Sequence, residues 1–448
     1  AGGSMGTAAG APGHAGSDLG GTAGRDATGG AAGTDDGSGG AAGANAGAGG
    51  EPPLATDVAL GAFHTCALFD DGSVRCWGTG GYYIGYANDE WIGDDEDPKV
   101  AGDVDVGGTV VQISASWYHT CVLLDTGKVR CWGSGASGEL GYANTNDIGD
   151  DEAPATAGEV DVGGTVTQIS AGPHHTCACL DDGTVRCWGS NQYWPLGYPS
   201  SDSIGDNESP AAASPVDVGG FAVQVTTSFG HTCALLDSGK VRCWGDGNSG
   251  RLGYGNQNTI GDDETPASAG DVDLGGNAVQ IVSGWFFTCA LLDTGKVRCW
   301  GSGVQNGGGS VGVGYGNLDV IGDNETPASA GDIDVGGAVS ELAAGDFAVC
   351  AVLTTGKVRC WGSGEQGELG YGNTDNIGDD ETPASAGDVD VGGLVSRVDM
   401  GVLHTCAVLE SGTVRCWGRG STGALGYGNT SDIGDDETPA SAGDVATH

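Results

Sequence analysis

Basic residues are scarce: 16 Lys and Arg stand against 60 Asp and Glu, a formal charge of -44 over 448 residues. Phosphate backbones and anionic lipid head groups are held through a basic footprint, so a chain of this charge is not expected to bind nucleic acid or membrane surfaces. Charge of this sign favours solubility and draws cations or basic proteins. No apolar run reaches membrane length, so no membrane span is expected, and no leader segment stands out, so the chain reads as a mature, soluble product. Catalytic signatures are missing as well, with no nucleophile elbow, phosphate loop or zinc-protease helix. Paired Cys-x-x-Cys motifs of the zinc kind are lacking, since only Cys177 and Cys179 sit that near one another. Aromatic residues make up only 6%, and together with 90 glycines this points to tight turns joining short strands, with very little helix.

What the chain has instead is repetition. A cysteine, a short apolar run, a turn ending in Gly, then Val-Arg-Cys-Trp-Gly recurs seven times, with pairs Cys66/Cys76, Cys121/Cys131, Cys177/Cys187, Cys233/Cys243, Cys289/Cys299, Cys350/Cys360 and Cys406/Cys416. The spacing is 55 or 56 residues, with one interval of 61. Such a period means units that bury their apolar faces against one another, so function must be sought in what differs between copies. In each copy the cysteines flank a three-residue turn such as Asp125-Thr126-Gly127, whose Gly suits the left-handed conformation that closes a hairpin. Counting outward places Cys121 opposite Cys131, with Cα atoms about 4.5–5.5 Å apart, within disulfide range. Seven cross-strand disulfides are therefore expected, with Cys179 left over, in an extracellular or cell-surface setting. The other reading, small thiols filling a core, stays open.

Residues 1–53 are Gly, Ala, Ser, Thr and Asp and cannot bury enough surface to fold alone, so they read as a low-complexity tail. Glycines at every third place, as in Gly10, Gly13 and Gly16, would align on one edge of a three-residue-per-turn helix, though the phase slips. Residues 54–448 divide into units of four expected strands, in the second copy Val110–Ser114, Cys121–Leu124, Lys128–Trp132 and Gly158–Val162. This is a propeller blade, and the fold class is all-β, a seven-bladed β-propeller. The first copy lacks the Gly-Asp-Val strand, which Gly443-Asp444-Val445 would supply to the blade begun at Leu54, closing the ring.

The residues His119-Thr120-Cys121, Gly127-Lys128-Val129, Trp132-Gly133 and Leu140-Gly141-Tyr142 resemble the repeat of the regulator of chromosome condensation 1 family. The resemblance runs from about Leu54 to His448 and implies the same seven-bladed propeller. It says little about function, because members include a nuclear exchange factor, a plant light receptor and secreted bacterial proteins. The cysteines, acidity and Gly-rich tail depart from the family's pattern, speak against the nuclear role and suit an extracellular bacterial member.

Three constellations invite a functional reading. Acidic trios recur at Asp94, Asp95, Glu96; Asp150, Asp151, Glu152; Asp262, Asp263, Glu264; Asp379, Asp380, Glu381; and Asp435, Asp436, Glu437, while Asn207 and Asn324 interrupt two other copies. Calcium takes such oxygen ligands, and the competing readings are solvated turns or a pair with the recurrent Arg of Val-Arg-Cys. That arginine, Arg75 to Arg415, is expected in a structural ion pair. His64, His119, His175, His231 and His404 share one position that copies five and six lose, so they read as scaffold rather than as metal ligands. Just before each first cysteine the residues vary freely and are often aromatic: Phe63, Trp117, Tyr118, Phe229, Trp285, Phe286 and Phe347. These form a candidate partner-binding face, weighed evenly against rings that plug the channel. Tyr82, Tyr83, Trp91, Tyr193 and Trp194 would extend it. The expected function is a non-enzymatic extracellular structural protein that self-assembles into a fibre or coat through its tail. The alternative is a surface-tethered module that recognises a protein or glycan.

Overall fold

The structure, a computed structural model, describes residues 51–303 and 311–448. The expected tail, and with it the glycine-edge reading, lies outside the described residues except for Glu51–Pro53. Pro52–His448 forms one compact unit. It contains seven three-stranded antiparallel sheets, each made of strands consecutive in sequence. In the second blade the inner strand is Val110–Ala115, the middle strand His119–Leu124 and the outer strand Val129–Gly133. Every residue of every middle strand is buried. Each middle strand lies between two strands of its own sheet and between two neighbouring blades, which is why its sequence is continuously apolar or small instead of alternating. The described parts of the insertions between blades contain only single-turn helices such as Pro154–Ala157.

The expected fourth strand does not form. Gly158–Val162 meets the outer strand at one bridge, Val160 N–H to the Val129 carbonyl at 2.9 Å, and Ile148 bridges Gly133 at the far end. Between these bridges the exposed polar groups of the outer strand would be unpaired. The phenol of Tyr142 fills the gap: its oxygen accepts from the Cys131 N–H at 3.1 Å and donates to the Cys131 carbonyl at 3.1 Å. Tyr254, Tyr371 and Tyr427 repeat this on Cys243, Cys360 and Cys416. Tyr315 holds Cys299 in the same way, at 3.4 Å to its N–H and 3.1 Å to its carbonyl. In blade one Tyr86 accepts from the Cys76 N–H at 3.2 Å but donates to the Gly102 carbonyl at 2.8 Å, and in blade three Tyr198 donates to the Cys187 carbonyl at 3.5 Å. A side chain therefore satisfies the backbone that a strand would otherwise pair.

The same contact explains the cysteine geometry. Because the N–H and C=O of Cys131 turn outward to Tyr142, Cys121 and Cys131 are a non-hydrogen-bonded cross-strand pair, the closer of the two kinds. The expected partners are all bridged: Cys66 with Cys76, Cys121 with Cys131, Cys177 with Cys187, Cys233 with Cys243, Cys289 with Cys299, Cys350 with Cys360 and Cys406 with Cys416. The expected separation needs correction, since the Cα atoms are 4.0 Å apart in Cys66–Cys76 and Cys289–Cys299 and 4.1 Å apart in Cys121–Cys131 and Cys177–Cys187. Cys179 is buried without a disulfide, and burial pushes its thiol up to about 12, so it is inert.

Blades are joined by side chains that reach into their neighbours. The fully buried indole of the Cys-Trp-Gly motif donates backwards in six of the seven copies, Trp188 to the Glu139 carbonyl at 2.9 Å and Trp244 to that of Pro195 at 2.8 Å, while the Trp300 indole N–H finds no acceptor among the described residues. Gly141 makes this fit possible, since it has φ 80° and an added Cβ would lie 2.8 Å from the Trp188 ring nitrogen. The recurrent histidines reach forward: His64 bonds Thr120 at 2.8 Å, His119 bonds Thr176 at 2.8 Å and His175 bonds Thr232 at 2.9 Å. They are scaffold held to the next blade, and His231 is bonded to its own turn as well, through Ser228 at 2.6 Å.

The ring closes between blades seven and one through Trp77 to the Ala424 carbonyl at 2.8 Å and through His404 with Thr65 at 2.8 Å. Val445 pairs with Val414 of the seventh blade, at 2.8 Å, and not with the first blade as expected. The next residues reach across the seam: the Ala446 carbonyl accepts from Lys99 at 3.2 Å, and that of Thr447 accepts from Arg75. The C-terminal segment is thus a strap over the closure, because it follows the path that Val104–Val106 takes between blades one and two.

Candidate functional site

The variable residues lie in the loop between inner and middle strands. In blade two Ser116 N–H donates to the His119 carbonyl at 2.9 Å, leaving Trp117 and Tyr118 as a two-residue tip. The same closure occurs in each blade, from Gly61 with His64 to Gly401 with His404. The first tip residues approach the ring axis: Trp117, Pro173, Asp346 and Val402 line one small cavity of about 70 Å3 with residues from all seven blades. Trp117 meets Trp285 at 5.3 Å and Phe229 at 5.9 Å, and Phe229 meets Trp285 at 5.2 Å between ring centroids. These three rings plug the channel. The network continues outward through second tip residues, with Tyr118 at 5.8 Å from Trp117 and Phe286 and Phe347 at 5.5 and 5.4 Å from Trp285. Phe63 joins through Tyr83. All seven rings singled out in the sequence thus belong to one continuous cluster, with Tyr82, Tyr83 and Tyr193 attached. Trp91 is exposed and has no ring contact among the described residues.

Two features of this end were not anticipated. Asp346 sits amid the rings, where its carboxylate accepts from the Trp117 indole at 2.6 Å, and burial pushes its carboxyl up to about 7 against the lowering effect of that bond. Arg251 lies 4.5 Å from the centre of the Phe286 ring and 3.3 Å from Asp246, a cation held over an aromatic face. The sequence signal for both was present as an odd residue at a repeat position, Asp among aromatics and Arg where Glu139 and Glu368 stand. Trp194 has φ 60° where Gly138, Gly367 and Gly423 of other copies have φ 80°, 77° and 73°. A bulky residue in the left-handed region is strained, and such strain concentrates at functional surfaces.

The acidic residues also converge. Carboxylate oxygens of Asp94, Asp95 and Glu96, of Asp150, Asp151 and Glu152, of Asp262, Asp263 and Glu264, of Asp379, Asp380 and Glu381, and of Asp435, Asp436 and Glu437 come within 4.8 Å of one another in each trio. Desolvation and the neighbouring acids push Glu96 and Glu381 up to about 7. The recurrent arginines do not meet these trios. In five of the seven copies their partner is the Asp of the Gly-Asp-Val or Gly-Asp-Ile segment, as in Arg75 with Asp103 at 2.6 Å, Arg298 with Asp332 at 2.9 Å and Arg415 with Asp444 at 2.8 Å, whereas Arg130 and Arg186, whose copies have Glu159 and Pro215 in place of that Asp, bond backbone carbonyls alone. That segment runs beside the outer strand, within reach of the guanidinium, and the trio does not.

Residues 55–83, 110–139, 166–193, 222–251, 278–307, 339–368 and 395–424 each match the regulator of chromosome condensation (RCC1) repeat. This is an RCC1-repeat protein. The matches start where the inner strands start, so sequence repeat and blade share one register. The ultraviolet-B receptor UVR8 of Arabidopsis thaliana is 28% identical over 379 residues, 84% of this chain and 79% of that protein. Human E3 ubiquitin-protein ligase HERC2 is 27% identical over 265 residues, 57% of this chain but only 5% of HERC2. Among solved structures, yeast RCC1 (Prp20) bound to Kap60 superposes with a TM-score of 0.62 at 19% identity, covering 86% of this chain and 84% of that one. Human WBSCR16 gives 0.60 at 18% identity, covering 80% and 88%. At these identities the structures support the fold alone. Among the described residues no helix is long and apolar enough to cross a membrane.

Proposed function

We propose that this RCC1-repeat protein is a non-enzymatic recognition module that binds a protein partner across the aromatic end of its propeller. One observation carries the reading: the blades repeat their scaffold contacts closely, yet the two-residue tips at one end differ in every copy and assemble rings from several blades into one half-buried surface. The strained Trp194 and the Arg251–Phe286 pair at that end support it. Yeast RCC1 (Prp20), which shares this fold, was solved bound to Kap60, a protein partner. Fourteen bridged cysteines support an oxidising setting, secreted or on a cell surface.

The test is binding of the native chain and of Y118A/F286A to arrays of extracellular proteins and of glycans. Protein hits lost in the double variant and kept in V223A, at an exposed valine on an inner strand, support the reading. Glycan hits alone, or hits indifferent to the double variant, end it. Self-association into a fibre or coat through residues 1–50 is the second reading, favoured by the composition of that segment. Unchanged particle size after its deletion, by light scattering, ends that one. Calcium at the five trios is proposed on donor chemistry. An unfolding temperature indifferent to calcium and to chelator would exclude it.

A further inference from the structure

The inner strands place one residue per blade at the same position on the channel wall: Asp57, Gln112, Gln168, Gln224, Gln280, Glu341 and Arg397. The four glutamines form bidentate clamps on the following blade. The Gln112 amide donates to the Ile169 carbonyl at 2.9 Å and accepts from its N–H at 3.0 Å. Gln168 does the same to Val225 at 3.1 and 2.8 Å, Gln224 to Ile281 at 2.9 and 3.0 Å, and Gln280 to Leu342 at 2.8 and 2.8 Å. An amide can do this because it carries a donor and an acceptor side by side.

Blades six, seven and one abandon the clamp. Glu341 and Asp57 have no donor, and Arg397 has no acceptor. Glu341 turns to Arg397 at 3.2 Å, and Asp57 takes its own neighbour's N–H, Val58, through Oδ1 at 3.0 Å. Among the described residues no side chain reaches the carbonyls of Val398, Val58 or Ile113, which stand where the clamped carbonyls of Ile169 and Val225 stand in other blades. Asp57 Oδ2 has no hydrogen-bond partner among the described residues, although the side chain is deeply enclosed. Asp399, where other copies have Ser114 and Ser170, adds a third carboxylate, held to the Leu60 N–H at 2.9 Å. Asp57, Glu341 and Asp399 line a cavity of about 290 Å3 on the ring axis, beneath the aromatic plug. Arg397, 53% exposed, stands near it as the sector's only cation.

Among the described residues the cavity therefore gathers spare acceptors and three acidic groups in one sector and nowhere else around the ring, and because burial raises all three, a cation entering beside them draws them into the charged form. A complementary ligand is all donor and positively charged. The carboxylates of this sector are not among those that converge within 4.8 Å, so they do not form the compact oxygen cage of a bare metal ion. Ammonium groups spaced along a chain suit separated carboxylates and carbonyls better, and the volume holds several water-sized groups, at about 30 Å3 each. We infer that the channel sector of Asp57, Glu341 and Asp399 is a binding site for a small linear polyamine.

The test is calorimetric titration of the full chain with spermidine. One spermidine per chain is expected, displaced little by calcium. E341Q/D57Q restores the glutamine of the other blades and changes the net charge only from -44 to -42. Generic attraction to an acidic surface would survive it, whereas loss of two charged acceptors predicts roughly tenfold or greater weakening. R397Q, which removes the competing cation, should tighten binding. D57N, nearly isosteric, serves if the double variant does not fold, and weakening is again expected. No saturable binding by the wild type, binding undiminished in E341Q/D57Q or D57N, weakening by R397Q, or full displacement by calcium would each overturn the inference.

Discussion

The indole N–H of Trp117 in blade two donates to the carboxylate of Asp346 in blade six at 2.6 Å, spanning the mouth of the channel. The Asp346 backbone carbonyl also accepts from the Trp285 backbone N–H at 3.0 Å, so one acidic residue holds the Trp117 ring directly and, through its main chain, the loop that carries a second plugging ring. A surface preorganised in this way binds with less ordering cost than mobile loops would.

Replacing Trp117 by Phe keeps a ring but strips Asp346 of its donor. The expected loss of stability is about 1–3 kcal/mol, read from denaturant midpoints. D346N keeps an acceptor and should lose less. Equal stability of W117F and wild type would show that the contact does not hold the plug.

The pH profile of stability follows from two opposed sets of buried groups. Burial lowers His64 to about 4 and His119, His175 and His404 to about 3, below the unfolded value near 6.5. Unfolding lets them take up protons, so their contribution is full above about 6.5 and is lost as pH falls toward about 3. Burial raises Glu139, Glu341, Asp346 and Glu368 to about 7, above their unfolded values near 4. Their contribution is full below about 4 and is lost as pH rises through about 7. The two trends cancel in part between about 4.5 and 6.5, so a plateau is expected there, with loss below it as the histidines prevail. In E139Q/E368Q the plateau should tilt, with stability rising with pH across it. Unfolding midpoints measured against pH decide this.

Y142F removes the hydroxyl that stands in for a fourth strand on Cys131. The Cys131 N–H and carbonyl lose their partner, as does the more distant Gly158 carbonyl, and the expected cost is about 1–3 kcal/mol, with faster amide exchange at Cys131. Unchanged exchange at that amide would mean that water replaces the phenol at no cost.

Thiol counting on denatured, unreduced protein should give one free group per chain, Cys179, and none accessible in the native state. Each bridge closes a loop ten residues apart and contributes about 2–3 kcal/mol on a chain-entropy view. Removing one pair, as in C121A/C131A, should lower stability by that order without opening the ring. Fifteen reactive thiols would remove the argument for an oxidising setting.

Much of this was legible in the sequence because it repeats. The period, the turn glycines and the cysteine register together specify hairpin, bridge and ring, since each depends on local spacing. The short Cα separation of pairs such as Cys66–Cys76, Cys177–Cys187 and Cys289–Cys299 was not legible, because spacing names the partner but not how closely the strands approach. The fourth strand was misread because Gly158–Val162 has the right alternation, and nothing in an apolar pattern shows that Tyr142 already occupies its hydrogen bonds. The arginine partner was missed because proximity in the chain favours the Asp-Asp-Glu trios, whereas Asp332 lies 34 residues from Arg298 and beside it in space. The tip residues could be named, but whether Trp117 turns to the axis and Tyr118 away depends on how a two-residue loop leaves its strand. The glutamine column was hidden in inner strands that look interchangeable until seven of them are laid side by side.

All seven sulfur bridges lie within single hairpins, and none ties one blade to another. A protease cut in any insertion between blades would leave an intact circle on a sizing column, gripped by indoles and imidazoles. The same sample in unreduced detergent would fall into two fragments, so covalent armour and circular integrity are separate properties of this protein.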